Sequence, residues 1–324
     1  MSFIRTVLGD IPAATLGVCY AHEHIIIETS YLTEKFPDFR LDSVELAARE
    51  LMEFHARGGR AMIDSMPAGG RNAAKLAEVS RRSGVHIVCP TGLHLEKYYP
   101  PGHWGSRLTI EELTEVFVGE IEQGIDGLDL GGPHLRRLPQ RAGLIKTASG
   151  LKQISPHEQC IFEAAANAHR QTGCPILTHT EQGTEALAQV DFLRRLGVDL
   201  HHVCLSHTDR KPDVSYHREI LASGVKVEFD SAFRWKPEQG NPTLDLVLAL
   251  LEDFPSQLML GMDAARNHYW SSYGGHPGLN YLLTTFSSQL RERGATSQQL
   301  QQIFVLNPAA TFQFCKPASE EKPQ

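Results

Sequence analysis

The stretch VCYAHEHIII, residues 18–27, decides how the rest of the chain is read. It is nearly continuous in apolar residues, as strands buried on both faces are. It carries His22-Glu23-His24 where the first strand of a doubly wound nucleotide-binding sheet would run into a glycine-rich phosphate loop. Side chains alternate along a strand with period two, so His22 and His24 are expected to share a face and to reach one metal ion.

Seven more short runs rich in apolar and β-branched residues follow: AMID (61–64), HIVCPTG (86–92), GLIKTAS (143–149), PILTHT (175–180), HHVCLSHT (201–208), VKVEFD (225–230) and QLMLGMD (257–263). Between them, amphipathic segments with helical spacing cover 43–56, 71–83, 109–123, 156–172, 181–196, 215–223 and 244–253. Thr109 followed by Glu111 and Glu112, and Ser155 before Pro156, are helix-start signals. Strand and helix alternating around eight strands imply an α/β fold of the (β/α)8 TIM-barrel type. Beyond the eighth strand, 280–293 and 297–312 read as extra C-terminal helices packed on the barrel. No linker interrupts the pattern, so residues 1–315 are expected to form a single domain and the polar 316–324 a flexible tail.

Composition narrows the function classes. With 41% hydrophobic and 21% charged residues, the 324-residue chain can bury a large core. A net charge of −7 and no dense Lys/Arg run argue against nucleic-acid partners. No apolar stretch approaches the ~20 residues of a membrane helix, so no membrane partner is expected. The six cysteines are scattered, with no CxxC pair and no secretory leader, which points to a reduced, cytoplasmic protein.

The residues that carry chemistry stand at, or close to, the ends of these strands: His22, His24, Lys146, His179, His207 and Asp263. Taken singly, each has a plain structural reading. His179 or His207 could be a barrel histidine bonded to a neighbour, Lys146 a snorkelling lysine, and Asp263 a helix cap. Their joint position is what counts, because barrel enzymes place active-site groups at the C-terminal ends of their strands. An unpaired lysine cation in the middle of GLIKTAS would be costly to bury. A buried, neutral Lys146 amine can instead add carbon dioxide to form a carbamate, whose two oxygens suffice to bridge two metals. Asp263 in this company reads as both ligand and catalytic proton acceptor.

HEH at 22–24, Lys146 in the fourth strand, His179-Thr180, Ser206-His207-Thr208 and Met262-Asp263 together resemble the phosphotriesterase family of the amidohydrolase superfamily. The likeness covers nearly the whole chain. It extends to SYGGHPGLNYLLTTFSSQLRERG (272–294) and VLNPAATF (305–312), which are similar to the bacterial phosphotriesterase homology proteins and their lactonase relatives. The resemblance implies a binuclear centre. One divalent ion would sit on His22, His24 and Asp263 and the other on His179 and His207, with carboxylated Lys146 and a hydroxide bridging them. Some homology proteins have a glutamate at the position of Lys146, so this chain sides with the carbamate branch. Zinc (Zn2+) is expected, with manganese (Mn2+) or cobalt (Co2+) able to substitute. The reaction class is hydrolysis at a polarised C=O or P=O bond.

The rim loops must then choose the substrate. SAFRWKPEQGNP (231–242) brings Arg234 and Lys236, and AARNHYW (264–270) brings Arg266 and Tyr269. Each pair alone reads as solvated loop charge. Together their spacing resembles the phosphate-binding set of lactonases that act on sugar 1,4-lactone 5-phosphates, which makes the expected substrate a small anion. In TGLHLEKYYPPGHW (91–104), Leu93 and His94 stand where acyl-homoserine lactonases tend to carry an aromatic, and Tyr98 or Tyr99 can reach the metal rim. The alternatives are a promiscuous phosphotriesterase or carboxylesterase, an acyl-homoserine lactonase, and a metal-binding homologue without turnover. GLDLGGPHLRRLPQ (127–140) reads as a surface excursion rather than the alternative, an oligomer contact, and a homodimer is left open because relatives are often dimers.

Overall fold

The computed structural model describes residues 2–317. An antiparallel hairpin, β1 (Phe3–Thr6) and β2 (Gly9–Pro12), precedes the barrel. The barrel strands are β3 (Cys19–Glu23), β4 (Ala61–Asp64), β5 (His86–Val88) continued by β6 (Pro90–Gly92), β7 (Leu144–Ser149), β8 (Ile176–Thr180), β9 (Val203–Ser206), β10 (Lys226–Phe229) and β11 (Leu258–Leu260). Every pairing among them is parallel. The third barrel strand is split at Cys89, next to Pro90, whose nitrogen has no hydrogen to give the ladder. The ring closes where β11 returns to β3: the Met262 and Asp263 N–H groups donate to His22 O at 3.3 and 3.0 Å.

All residues of β3, β4, β7, β8, β9, β10 and β11 are buried. A strand with helices outside and a filled barrel inside has no wet face, which is why these segments read as apolar runs without alternation. Cys19, Ala21, Ile63, Val88, Leu144, Leu177, Cys204 and Met259 cluster with Ile4, Leu16 and Phe312, separately from the larger core between strands and helices.

The helices are α1 (Tyr31–Lys35), α2 (Val44–Ala56), α3 (Ala73–Ser83), α4 (Ile110–Glu122), α5 (Pro156–Thr172), α6 (Ala186–Arg195), α7 (Val214–Ala222) and α8 (Pro242–Leu250). The capping signals act as read. Thr109 Oγ1 accepts from Glu112 N at 3.2 Å while Glu112 Oε2 accepts from Thr109 N at 2.8 Å, and Ser155 and Glu158 repeat the box at α5.

Some boundaries move for local reasons. The segment 71–83 becomes helical only from Ala73, because the Asn72 side chain caps it by accepting from Lys75 N. The segment 181–196 divides into a short turn and α6, since Gln182 and Glu185 take left-handed backbone. After β11, 280–293 contains a π-turn (Leu282–Phe286) leading into α9 (Ser287–Glu292). Likewise 297–312 is α10 (Ser297–Gln301), a π-turn (Gln302–Leu306) and α11 (Asn307–Phe312). Asn307 Nδ2 ties this segment to the eighth strand by donating to Leu258 O at 2.7 Å. Of the expected tail 316–324, residues 318–324 lie outside the described residues. Among the described residues no helix is long and apolar enough to cross a membrane.

Candidate metal centre at the C-terminal rim

The ligand-type side chains converge because their strands end at one rim. The pairing of β3 with β4 shifts register between Tyr20 and Glu23, a β-bulge or similar irregularity. Bulges re-aim side chains beside active sites. His22 therefore lies at the strand end and His24 just past it, and both line the rim cavity with His179, His207 and Asp263. His22 Nε2 and His24 Nε2 approach Asp263 Oδ1 at 3.8 and 3.3 Å. The His207 ring lies 4.7 Å from that of His22 and 4.5 Å from that of His179, centroid to centroid. Lys146 on β7 is fully buried below.

Whether these residues fit a metal can be judged from their own unmet bonding. Among the described residues, Lys146 Nζ, His24 Nδ1 and His179 Nδ1 are buried without a hydrogen-bond partner. Such orphans are rare in folded proteins and mark a missing ligand or a chemical role. One ligand atom each of His22, His24 and Asp263 lies within 4.8 Å of the others, a spacing that suits a shared ion. The imidazole and carboxylate donors are those of zinc and related divalent ions.

Electrostatics keep the donors available. Burial lowers His179 to about 4 and drives His22 and His207 well below the ordinary histidine value, so their rings are neutral near pH 7. Burial also lowers the Lys146 amine to about 8, against an upward pull from the Asp263 and Glu228 carboxylates. Burial pushes Asp263 up, but Arg234, His24 and His207 outweigh it and hold the carboxyl well below its usual range.

Several partners went unread in the sequence. Asp230 pairs with His207 Nδ1, which orients that ring. Arg210 Nη2 joins Asp230 Oδ1 at 3.3 Å and Asp263 Oδ2 at 2.8 Å. Glu181 lies 2.8 Å from His179 Nε2, and Ser206 Oγ 2.9 Å from His22 Nδ1. Glu228, fully buried, stands 3.4 Å from His22 Nδ1. Asp230 ends its apolar run as Asp263 ends its own, so that signal was present. His94, whose ring is 4.7 Å from that of His179, is marked in the sequence only as standing where acyl-homoserine lactonases tend to carry an aromatic.

Of the expected substrate residues, Arg234, Arg266, Tyr269 and Tyr98 line the same cavity. Arg234 donates to Met262 O at 3.0 Å and to Asp263 Oδ2 at 3.1 Å, with its guanidinium 5.2 Å from the Tyr269 ring centre. Arg266 pairs with Asp38 and lies over Phe39, 4.2 Å from its centroid. Lys236 is exposed and does not line the cavity. The excursion 127–140 is more than a surface loop. Asp129 accepts from Gly69 N, at the cavity wall, and from Arg71, while Asp129 O accepts from Trp104 Nε1 at 3.1 Å.

A parallel barrel with neutral imidazoles, a buried lysine and a carboxylate at its C-terminal rim is the architecture of a metal-dependent hydrolase. The chain belongs to the phosphotriesterase family, whose model matches residues 2–312. It is 31% identical over 326 residues to a phospho-furanose lactonase of Mycoplasmopsis agalactiae, covering 97% of this chain and 92% of that protein. The solved structure of an amidohydrolase from Mycoplasma synoviae matches with a TM-score of 0.92 at 30% identity, over 97% of this chain and 93% of the other. The phosphotriesterase homology protein of Escherichia coli, solved with phosphate in its active site, matches with a TM-score of 0.83 at 32% identity, over 93% and 99%. The protein is thus a hydrolase of the lactonase and phosphotriesterase type, acting on a small molecule.

Proposed function

We propose that this protein is a lactonase that opens a phosphorylated sugar lactone, a 1,4-lactone 5-phosphate, at a centre of two divalent ions. The observation that carries this reading is that Arg234, Arg266 and Tyr269 line the same cavity as His22, His24, His179, His207 and Asp263. Guanidinium groups bind phosphate oxygens with charge-assisted, often paired hydrogen bonds, and a phenol adds a further donor. A neutral triester or a long acyl chain has no use for such a set. Lys236, on the outer part of the Arg234 loop, would meet the anion only at the mouth.

His22, His24 and Asp263 would hold one ion and His179 and His207 the other, with Lys146 between them as a carbamate. When bound, zinc, or manganese or cobalt in its place, lowers the pKa of water and polarises the lactone carbonyl. The protein's own groups do the rest. Asp230 keeps His207 in one tautomer. The Asp263 carboxylate, held ionised by Arg234, can take a proton from the attacking water and return it to the sugar oxygen as the ring opens. Tyr98 and Tyr269 wall the cavity and help to exclude bulk water.

The test is Arg266→Ala, assayed on phosphorylated and unphosphorylated forms of one lactone and on an aryl ester and a phosphotriester. Loss of a charged hydrogen bond should lower kcat/KM for the phosphorylated lactone by about 10- to 100-fold and leave the other substrates nearly unchanged. Equal losses on both lactones would remove the phosphate from the reading.

A further inference from the structure

Glu23, the middle residue of the His22-Glu23-His24 motif, has a completely buried side chain. Its Oε1 accepts from Met262 N at 2.8 Å and its Oε2 from Ala264 N at 3.3 Å. Asp263 lies between these two residues and gives its own N–H to His22 O at 3.0 Å. Three successive N–H groups of the β11 exit are therefore taken by two successive residues of β3. The turn they hold is unfavourable in itself, because Asp263 has a φ of 47°, in the left-handed region. Residues with a Cβ disfavour that conformation, Asn and Asp less than the others, so the turn needs support from its surroundings. Packing is tight just before the turn, where a Cβ added to Gly261 would meet His22 O at 2.7 Å.

We propose that Glu23 is a positioning residue for Asp263: its carboxylate, bonded on either side of residue 263, holds the left-handed turn that aims the Asp263 carboxylate at His22 and His24. The proposal rests on Asp263 being a metal ligand. Two acceptor oxygens meet the two N–H donors, which a carboxyl group offers and an amide does not. A glutamine would present its NH2 group to one of those donors, leaving a buried N–H unpaired. An aspartate, one methylene shorter, could not reach both. The next strand repeats the device: Asp64 accepts from Ile25 N, directly after His24, at 2.8 Å and from Met66 N at 2.8 Å. Buried carboxylates on β3 and β4 thus each grip the backbone adjoining an expected ligand.

A purely structural clamp would cost stability without touching the metals, and Glu50 offers that comparison. It is buried and accepts from Ser272 N at 2.6 Å and Leu279 N at 2.9 Å, but it does not line the rim cavity. The experiment loads wild type, Glu23→Gln, Glu23→Asp, Glu50→Gln and Asp263→Asn with Zn2+ and measures three things: retention of zinc against a chelator, thermal midpoint, and kcat and KM. Both Glu23 variants should release zinc at about 10- to 100-fold lower chelator concentration, with kcat falling more than KM changes. Glu50→Gln should lose thermal stability but retain zinc as wild type does. If either folded Glu23 variant keeps wild-type zinc retention while Asp263→Asn loses it, the positioning role is overturned and ligation by Asp263 stands. If Asp263→Asn itself retains zinc, the ligand reading fails and takes this proposal with it.

Discussion

Arg71 Nη2 donates to Asp129 Oδ1 at 2.9 Å, and through this bond the excursion 127–140 is fastened to the loop that follows β4. Arg71 is buried and is shared with Glu120 and with Pro90 O, which accepts at 2.6 Å. Asp129 also accepts from Gly69 N at the cavity wall. Asp129→Ala removes half the compensation of a buried guanidinium and one backbone bond, so it should destabilise the protein by about 2 kcal/mol. Because Gly69 would then shift, KM should rise more than kcat falls. Urea denaturation together with steady-state kinetics checks both parts, and an unchanged KM would disconnect the excursion from substrate binding.

Lys146 provides a test in pH. Burial brings its amine from the ordinary 10.5 to about 8. A folded-state pKa below the unfolded one means that the amine's contribution is best above the unfolded value and is lost as pH falls through about 8. Below that point the buried cation costs about 3 kcal/mol. In metal-stripped protein Lys146→Met should therefore be more stable than wild type at pH 7 by about 2 kcal/mol, with the gap closing by about pH 10. The same substitution should abolish metal-dependent hydrolysis. A gap that is flat from pH 7 to pH 10 would show that the amine is not the source.

The barrel is legible because buried parallel strands leave an unmistakable apolar trace, and the convergence of the rim residues because they stand where those traces end. His22, His24, His179, His207 and Asp263 all line one cavity for that reason. The partners were harder to read because they obey no period. Arg210 lies just beyond the end of β9, and His94 on a loop whose path depends on Tyr99 OH accepting from His94 N at 2.7 Å. Lys236 shows the limit on the other side. Spacing places it with Arg234, but Lys236 stands at the start of the short 3-10 turn Pro237–Gln239, where its side chain is exposed and off the cavity. The excursion's role depends on one carboxylate reaching across about 60 residues of sequence, which no local pattern records.

Asp230 and His207 should behave as a unit. The carboxylate fixes which imidazole nitrogen carries the proton and leaves the other for coordination. Asp230→Asn presents either an acceptor or a donor in its place and weakens that preference. We expect zinc affinity and kcat/KM each to fall by about 10- to 100-fold, with little change in thermal midpoint for the metal-stripped protein. Zinc affinity at the wild-type level would show that the pair is dispensable for holding the ring.

Asp38 pairs with Arg266, which lines the cavity. Both side chains are about one third exposed, so water screens the pair and its breaking is inexpensive. A phosphate that uses Arg266 must compete with the Asp38 carboxylate for the same guanidinium donors. Asp38→Asn removes the competing charge but keeps the size, and Phe39 still holds the guanidinium by its ring face. Inorganic phosphate should then inhibit hydrolysis about two- to fivefold more strongly, in line with an exposed pair worth up to about 1 kcal/mol. Adding Arg266→Ala to Asp38→Asn should erase that gain. If phosphate inhibition is indifferent to Asp38, or is strengthened equally without Arg266, the anion does not bind at this arginine and the lactone phosphate must be anchored elsewhere on the rim.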